Sequence, residues 1–332
     1  MKEKVSVIIP VYNGEKTIKN CLQNIIKNNK SLKKEIIVIN DNSNDKTDKI
    51  LKSFKKIKVI NFNKNKGVGF ARNYGAKKAK YNLLCYVDSD LIISKNSIIK
   101  LIKRLKKDKL TGSVGGIQKV INLTKNNWSS NFVCLKSCFG FDDVKDEVEF
   151  SVIHSEFCVI KKKYLFKIGG WKSYSNAGGE EFEIGHRITQ SRKKIVLIKE
   201  AFYSTYYTNL YKRFTKIIDR TDKYIGILIN KKYFDSKGSF ATSNQAFSAI
   251  LTALNLSFFL LNIFLPQQID FIKISLIILL IQLYTEKDFL FFAKKSFGIK
   301  MLIYSIFGIQ VINLGILIGS IKFCFKKVLF LN

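Results

Sequence analysis

The sequence is poor in the residues that form zinc sites and disulfide frameworks. Its 332 residues include only two histidines, two prolines and six cysteines. Cys134 and Cys138 lie one helical turn apart, but no histidine or second cysteine pair lies nearby at the spacing of a zinc site. These features argue against a zinc-bound or disulfide-stapled domain and indicate reduced, mostly buried thiols.

Acidic residues are also scarce, with 25 Asp and Glu against 57 Lys and Arg, a formal net charge of +32. Such a chain attracts polyanions, among them nucleic acid, anionic lipid and nucleotide diphosphates. The lysines are scattered along helix-like segments rather than gathered into one arm, which favours anionic lipid and argues against nucleic acid as a partner. Low proline with abundant Lys, Asn and Ile is also typical of a biased genome composition, so the charge alone assigns no function.

The region around the first predicted strand lacks the loops of two nucleotide-binding enzyme classes. No G-x-G-x-x-G follows this strand, which argues against a dinucleotide-dependent oxidoreductase. The segment after it reads Tyr-Asn-Gly-Glu instead of a Gly-rich loop with Arg and Lys, which argues against a sugar-1-phosphate nucleotidyltransferase. Residues 1–4 run into the strand without an apolar leader, so we expect the N-terminal domain to lie in the cytosol.

Residues 5–110 alternate short β-rich runs with stretches of helical period, the pattern of a parallel α/β sheet. Strands are predicted at 5–10, 35–40, 58–62 and 81–87, and helices at 17–28, 45–54 and 69–79. Polar clusters follow these strands at their C-terminal ends, where open α/β sheets bind ligands. From 111 to 237 the pattern is less regular, with a strand expected at 113–120.

Beyond Lys237 the composition changes to long uncharged runs, at 239–269, 274–285 and 301–320. At about 20 residues per span, the first and third can cross a bilayer, whereas the middle run is short. We therefore expect a membrane-associated region of two to three spans, with a buried core helix as the alternative. Lysines after the third run oppose the positive-inside rule if all three runs span, so we expect one run to be re-entrant or interfacial.

Asp88-Ser89-Asp90 directly follows the apolar run 83–87. Two carboxylates two residues apart at a strand end can hold a hard divalent cation, and such a cation neutralises a diphosphate leaving group. The same spacing occurs in solvated turns and at helix N-caps, and a helix is expected from about Lys95. The segment by itself leaves both interpretations open.

Several motifs occur in the order found in the family 2 inverting glycosyltransferases of GT-A fold, and the sequence resembles that family over roughly its first 210 residues. The segments that carry the resemblance are Val7 to Asn13, Asn40 to Asp45, Gly67 to Ala76, Asp88 to Asp90, Gly169 to Trp171 and Gly179 to Arg187. The resemblance implies a GT-A catalytic domain with a Rossmann-like, mostly parallel α/β sheet, followed here by membrane-associated helices. It also implies a hexosyltransferase-type enzyme that depends on Mg²⁺ or Mn²⁺ and carries a DXD motif.

The resemblance also implies roles for individual residues. The nucleotide-binding residues would be Pro10, Tyr12, Glu15, Asp41, Arg72, Asp88 and Ser89, the metal ligands Asp88 and Asp90, and the acceptor-binding residues Gly170, Trp171 and Glu180. Asp41 would accept the ring N–H of the base, Tyr12 would stack on it and Arg72 would compensate phosphate charge. Glu181, where the family carries Asp, would be the catalytic base. A turn-capping Asp41, a surface Arg72 and an acidic first helical turn at 180–183 remain the structural alternatives.

We expect residues 1–110 to bind the nucleotide sugar, 111–237 to bind the acceptor and 238–332 to associate with the membrane. The expected reaction moves a sugar, from a UDP-sugar, to a hydroxyl of a membrane-linked glycan or lipid in cell-envelope polysaccharide synthesis. The enzyme would lie at the inner membrane with its catalytic domain in the cytoplasm. The Gln-x-x-Arg-Trp motif of processive synthases is absent after Phe202, which favours a single addition, and no histidine follows His186 as a third metal ligand. A polyprenyl-phosphate glycosyltransferase is the alternative, and a sugar-1-phosphate nucleotidyltransferase is less favoured.

Overall fold

The computed structural model describes residues 3–28, 31–124, 127–141, 143–173, 178–231, 243–265 and 270–329. The chain forms two compact units. The first, called the α/β unit below, comprises Met1–Leu123 and Phe141–Tyr206. The second, called the helical unit, comprises Thr124–Gly140 and Tyr207–Asn332. A short segment inserted between two strands of the α/β unit therefore belongs to the helical unit.

The described residues contain nine strands and twelve helices. The strands are β1 (Lys4–Val11), β2 (Lys33–Asn40), β3 (Lys58–Asn61), β4 (Leu83–Val87), β5 (Leu91–Ile93), β6 (Thr111–Asn122), β7 (Glu147–Phe150), β8 (Phe157–Lys161) and β9 (Lys194–Thr205). The helices are α1 (Ile18–Asn28), α2 (Thr47–Lys52), α3 (Val68–Lys78), α4 (Ser97–Lys107), α5 (Trp128–Cys138), α6 (Lys162–Lys167), α7 (Glu180–Gln190), α8 (Leu210–Lys231), α9 (Ser243–Phe264), α10 (Phe271–Thr285), α11 (Lys287–Phe297) and α12 (Ile299–Leu329).

One sheet holds all nine strands, in the order β3-β2-β1-β4-β8-β6-β9-β5, with β7 paired to β9. The four strands β3, β2, β1 and β4 run parallel to one another. Strand β8 then runs antiparallel to both β4 and β6, while β6 and β9 are again parallel. The carboxyl ends of β1, β2 and β4 thus meet at one edge of the sheet.

Helices cover both faces of this sheet, which explains why its inner strands are apolar at almost every position. Val7 and Ile9 of β1 pack into a core with α1 and α4. Ile8, on the opposite face of β1, packs into a second core with residues of α3 and α7. The strand positions alternate between these two cores because successive side chains of a strand point to opposite faces.

The sequence pattern predicts the first four strands and first three helices to within a few residues, and the α/β class is confirmed. The antiparallel half of the sheet is not resolved by the pattern, because β7, β8 and β9 are separated by irregular segments. The predicted division at residues 110 and 237, into two halves of a catalytic domain and a membrane-associated helical region, remains a prediction.

The helical unit is built from α5 and α8 to α12. Two stretches are long and apolar enough to cross a membrane by length and composition, Asn244–Phe264 and Ile299–Lys327. The helix Phe271–Thr285 is apolar but shorter. These three helices correspond to the three uncharged runs of the sequence.

Candidate active site

The predicted donor-side residues follow the strands that end at one edge of the sheet. Tyr12 follows β1, Asp41 follows β2 and Asp88 follows β4, and β1 pairs in parallel with both of the other strands. Tyr12 is 51% exposed, so its ring face is open to a planar ligand, whereas Pro10 is buried within β1. The topology therefore brings these three predicted residues together at this edge.

The loops after β1 and β2 are tied together by hydrogen bonds. The Asn13 amide donates to Ser43 Oγ at 2.9 Å, and the Glu15 amide donates to Asp45 Oδ2 at 3.0 Å. In return, Lys46 N donates to Glu15 Oε2 at 3.1 Å. Glu15, predicted to lie near a ribose, thus already holds the second loop, and its ribose contact remains a prediction.

Asp41 organises the loop that precedes α3. Its two carboxylate oxygens accept hydrogen bonds from Lys66 N and Gly67 N, each at 2.8 Å, and the residue is only 4% exposed. Gly67 has a φ of 84°, a conformation that side-chain-bearing residues rarely adopt. These contacts match the turn-capping alternative for Asp41, and its predicted bond to a base remains untested.

Arg72 lies beneath the same edge of the sheet. Its side chain contacts both Asp88, which follows β4, and Glu180, which opens α7. The residue is 2% exposed, and its Nη2 donates to Asp88 Oδ1 at 2.9 Å. Its Nη1 lies 3.5 Å from Glu180 Oε1, and its guanidinium lies 4.9 Å from the centre of the Trp171 ring. Arg72 is therefore no surface arginine. It connects the predicted metal carboxylate to the predicted acceptor side.

The Asp88 carboxyl sits in an unusual electrostatic environment. Loss of water around it raises its pKa to about 7; Arg72 opposes this rise, while Asp90 and Glu156 add to it. Desolvation and the neighbouring carboxylates therefore outweigh the effect of Arg72 on the pKa of Asp88. A cation bound beside Asp88 would favour its charged form.

The loop at Gly169-Gly170-Trp171 is fixed to α3 by Asn73. The Asn73 Oδ1 accepts from Trp171 N at 2.9 Å, and its Nδ2 donates to Trp171 O at 2.7 Å. The φ angles of Gly169 and Gly170 are 90° and 67°, and a side chain at Gly170 would collide with Asn73. Trp171 is 2% exposed and packs edge-on against Tyr86. Its predicted acceptor contact remains untested, and in this structure its ring lies under the site.

Helix α7 opens with the three predicted acids, which differ in their burial. Glu180, 5% exposed, accepts from Gly178 N at 2.8 Å and pairs with Arg72. Glu183, 2% exposed, binds Arg187 and the Nζ of Lys172, and these ion pairs lower its pKa against the opposing effect of burial. Glu181 keeps intermediate exposure between them. Of the three acids, Glu181 has the most accessible position for acting on an acceptor.

Comparison with known proteins identifies a family domain in the first half of the chain. Residues 6–169 match the family model described as "Glycosyl transferase family 2". The chain carries a family 2 glycosyltransferase domain. The predicted family is therefore confirmed.

The family 2 domain is also similar to curated synthases. Poly-beta-1,6-N-acetyl-D-glucosamine synthase of Staphylococcus epidermidis is 28% identical over 182 residues, which cover 51% of this chain and 42% of the relative. The synthase of the same name from Staphylococcus aureus strain COL is 27% identical over 174 residues, with the same coverage. The chain thus spans about two fifths of the length of these relatives.

Solved structures with a similar fold support the GT-A architecture of the family 2 domain. A mannosyltransferase of Pyrobaculum calidifontis, solved with GDP-Man and Mn²⁺, superposes with a TM-score of 0.58 at 13% identity, covering 98% of this chain and 88% of that one. GalNAc-T7, solved with UDP, GalNAc and Mn²⁺, gives a TM-score of 0.53 at 19% identity, covering 68% and 48%. At these identities the similarity establishes the fold alone.

The carboxylates of Asp88 and Asp90 in the family 2 domain fit part of the ligand set of a divalent cation. Within the described residues, no group of three or more His, Cys, Asp and Glu side chains is arranged to hold a metal by itself. Asp88 and Asp90 supply hard carboxylate oxygens, and Mg²⁺ in proteins is usually held by one or two carboxylates together with substrate phosphates and water. A cation here would therefore complete its shell with the diphosphate of a donor.

Glu156 is a site residue that the sequence motifs do not reveal. Its carbonyl accepts from Asp88 N at 2.8 Å, and its Oε1 accepts from Tyr203 Oη at 2.6 Å. It reaches Asp88 because β4 and β8 pair antiparallel, with Val87 opposite Phe157. Only knowledge of this pairing register could have identified Glu156.

Proposed function

We propose that this chain is a membrane-associated, inverting glycosyltransferase that moves a single sugar from a UDP-sugar to a hydroxyl of a membrane-linked glycan or lipid. The observation that carries the proposal is the Arg72 network, which joins Asp88 of the donor side to Glu180 beside the candidate base. A diphosphate leaving group and an attacking hydroxyl need two charged groups held close together, and this network supplies them.

The donor side is suited to a nucleotide diphosphate. Tyr12 offers an open aromatic face for a base, and Asp88 and Asp90 offer carboxylates for Mg²⁺ or Mn²⁺. The names of the curated relatives favour an N-acetylglucosamine donor, and the fold neighbours were solved with UDP or GDP-Man and Mn²⁺. A UDP-sugar therefore fits best.

In the proposed reaction the acceptor oxygen attacks the anomeric carbon from the face opposite the diphosphate. The new C–O bond forms as the bond to the diphosphate oxygen breaks, and the acceptor proton passes to the Glu181 carboxylate. Arg72 holds Asp88 and Glu180 in place while charge moves onto the leaving group. Asp88 and Asp90 would hold a divalent cation, which would supply charge compensation for that leaving group. One displacement inverts the configuration.

The acceptor is proposed to be membrane-linked because two helices are long and apolar enough to cross a membrane. The catalytic domain would face the cytoplasm, where nucleotide sugars are available, and the product would enter the cell envelope. The curated relatives are named as polymer synthases, whereas the missing Gln-x-x-Arg-Trp motif supports one addition per acceptor. The length of the product distinguishes these two modes.

The metal assignment is tested by Asp90→Ala in the purified full chain. We expect transfer to fall by at least about a hundredfold and to lose its dependence on Mn²⁺ or Mg²⁺, because the leaving group loses its charge compensation. Asp143→Ala, at an exposed acid remote from the DXD motif in sequence, serves as the matched control and should leave transfer unchanged. Wild-type activity that persists in excess chelator would contradict the metal assignment.

A further inference from the structure

Helices α8 and α12 pack side by side in the same direction. A side chain at Gly315 of α12 would meet Phe214 and Ile217 of α8, at 3.1 and 3.3 Å. Four residues later, a side chain at Gly319 would meet the Ile218 carbonyl at 2.7 Å. These small residues let the two helix backbones approach closely, as in small-xxx-small helix pairs.

The contact continues to the end of α12 as two ion pairs. Lys322 Nζ lies 2.9 Å from Asp219 Oδ1, and Lys326 pairs with Asp222. Along the same stretch, α8 exposes Lys212, Thr215 and Lys216 on its outer face. A helix with charges at successive turns is costly to place inside hydrocarbon. The C-terminal half of α12 packs beside this charged helix, so we expect it to lie outside the hydrocarbon core together with α8.

The remaining part of α12 is too short to cross a bilayer alone. Residues 299–314 rise only about 24 Å at 1.5 Å per residue, less than the roughly 30 Å of a hydrocarbon core. This part also packs on α5: Trp128 stacks on Tyr304 at 5.2 Å, and a side chain at Gly308 would collide with Phe132.

A further face of α12, between the face that packs on α8 and the face that carries Gln310 and Asn313, is an exposed apolar stripe. Its members recur at intervals of three, four or seven residues and are Ile303, Phe307, Leu314, Ile318, Ile321 and Phe325, which are 38% to 64% exposed. Because its other faces contact protein, a helix of this kind can present such a stripe to lipid along one side only. Lipid is the partner that this stripe fits, because basic residues accompany it and attract anionic headgroups.

Helices α9 and α10 form a separate apolar hairpin whose base is attached to the middle of α12. Gln282 of α10 donates to Thr252 Oγ1 of α9 at 2.8 Å, and Gln310 of α12 donates to Gln282 Oε1 at 2.8 Å. Asn313 of α12 donates to Ser248 Oγ at 2.9 Å. Beyond Thr252 the described residues of α9 are half-buried or exposed, so the hairpin projects away from this polar base.

We propose that the α9–α10 hairpin enters the membrane while α12 lies along the membrane surface beside α8, so that the chain ends on the face from which it entered. Four residues separate the end of β9 from the start of α8, too few to cross a bilayer, so this face is also that of the catalytic domain. The proposal rests on the membrane association proposed above. It satisfies the positive-inside rule, because Lys322, Lys326 and Lys327 then share the cytoplasmic face.

Cys324 is a natural reporter for this arrangement, because it is exposed while the other five cysteines are buried. The full chain is expressed in cells, and intact spheroplasts and inverted membrane vesicles are treated with a membrane-impermeant maleimide. Lys56→Cys in a Cys324→Ser background reports the face of the catalytic domain, since Lys56 is exposed. Cys324→Ser alone measures background labelling. Pelleting after a carbonate wash tests membrane association separately.

We expect Cys324 and Lys56→Cys to be labelled on the same face, in inverted vesicles, each at least about tenfold more than in intact spheroplasts. Labelling of Cys324 on the face opposite Lys56→Cys would mean that α12 crosses the membrane, and would overturn the proposal. Protection of Cys324 from both faces would also overturn it, because the end of α12 would then be buried in lipid. Either result would leave the glycosyltransferase assignment intact.

Discussion

At the scale of single residues, the site depends on the buried guanidinium of Arg72, which contacts two carboxylates. Arg72 contacts Asp88 and Glu180 and stacks on Trp171, while its Nε has no hydrogen-bond partner within the described residues. Removing one member of a buried ion-pair group leaves an uncompensated charge, which typically costs about 3–5 kcal/mol. The arginine thus acts as a positioning residue whose loss affects both sides of the site.

We expect Arg72→Lys to lower kcat by at least about tenfold and to lower Tm as well. A lysine ammonium is a single point of charge and cannot keep the planar, forked contact to Asp88 while reaching Glu180. Steady-state kinetics with separate kcat and KM, together with thermal melting, check this prediction. Arg192→Lys, at an exposed arginine, is the matched control. Unchanged kcat and Tm in the Arg72 variant would show that the network has no role.

Residue types and their order predicted which side chains gather at the edge, but not what they contact. Asp41 and Glu15 were recognised from motifs, yet both also hold neighbouring loops through backbone amides. Glu156 escaped detection because its proximity to Asp88 comes from strand pairing and not from local sequence. Contacts between distant segments are set by register, which a single sequence does not display.

At the scale of elements, a polar cluster joins the end of α4 to the start of β6 and to β7. Arg104 pairs with Asp108 at 2.9 Å and with Glu147 at 2.6 Å. The Asp108 carboxylate also accepts from the Thr111 amide and hydroxyl, each at 2.7 Å. These hydrogen bonds, led by that of the Thr111 side chain, lower the pKa of Asp108 to about 2. The cluster therefore fixes a turn only while Asp108 is charged.

We expect Asp108→Asn to lower Tm at pH 7 by about 1–3 °C, since a partly exposed ion pair contributes about 0.2–1 kcal/mol. The folded pKa of about 2 lies below the ordinary value of 3.8, so the stabilisation is complete above about pH 4 and is lost as the pH falls toward 2. Thermal melts from pH 7 down to pH 3 should show that the difference in Tm between wild type and variant becomes smaller below about pH 4. A Tm difference that grows on acidification would contradict the stabilising role of the charged Asp108 carboxylate.

The parallel elements were predictable because each strand is an apolar run and each helix shows a clear period, as in β1 and α1. The allocation of α5 was not predictable. Its sequence follows a strand of the α/β unit, yet its aromatic residues pack on α11 and α12. Composition marks where charge disappears along the chain, but it does not indicate which earlier segment packs on the apolar helices.

At the scale of the whole molecule, α5 precedes Lys237 in the chain but packs on helices that follow it. Phe132 packs on Phe289 at 5.9 Å between ring centres, and Phe139 packs on Phe289 and Phe292. Removing residues 238–332 would leave these aromatic rings without their partners. A chain cut there retains part of the apolar surface of the helical unit.

We expect a chain ending at Lys237 to keep nucleotide binding but still to bind anionic vesicles or aggregate. The same chain with Phe132→Ser and Phe139→Ser should bind vesicles at least about tenfold less. Vesicle co-sedimentation and size-exclusion chromatography check both forms, with nucleotide affinity measured alongside as a test of folding. A truncated chain that is monodisperse and does not bind vesicles would show that α5 exposes no adhesive apolar surface once residues 238–332 are removed.

The central claim is that this membrane-associated chain transfers a sugar with Glu181 as general base. The most direct measurement incubates the full chain with radiolabelled nucleotide sugars, Mn²⁺ or Mg²⁺ and membrane lipid extract, and resolves the labelled product by chromatography. We predict label in a lipid or glycan fraction, a loss of at least about a hundredfold in Glu181→Gln with little change in nucleotide affinity, and retained transfer in Glu181→Asp, which keeps a carboxylate. Full transfer by Glu181→Gln would contradict the base assignment and favour a polyprenyl-phosphate acceptor that needs no deprotonation. The absence of transfer from every nucleotide sugar tested would contradict the claim itself.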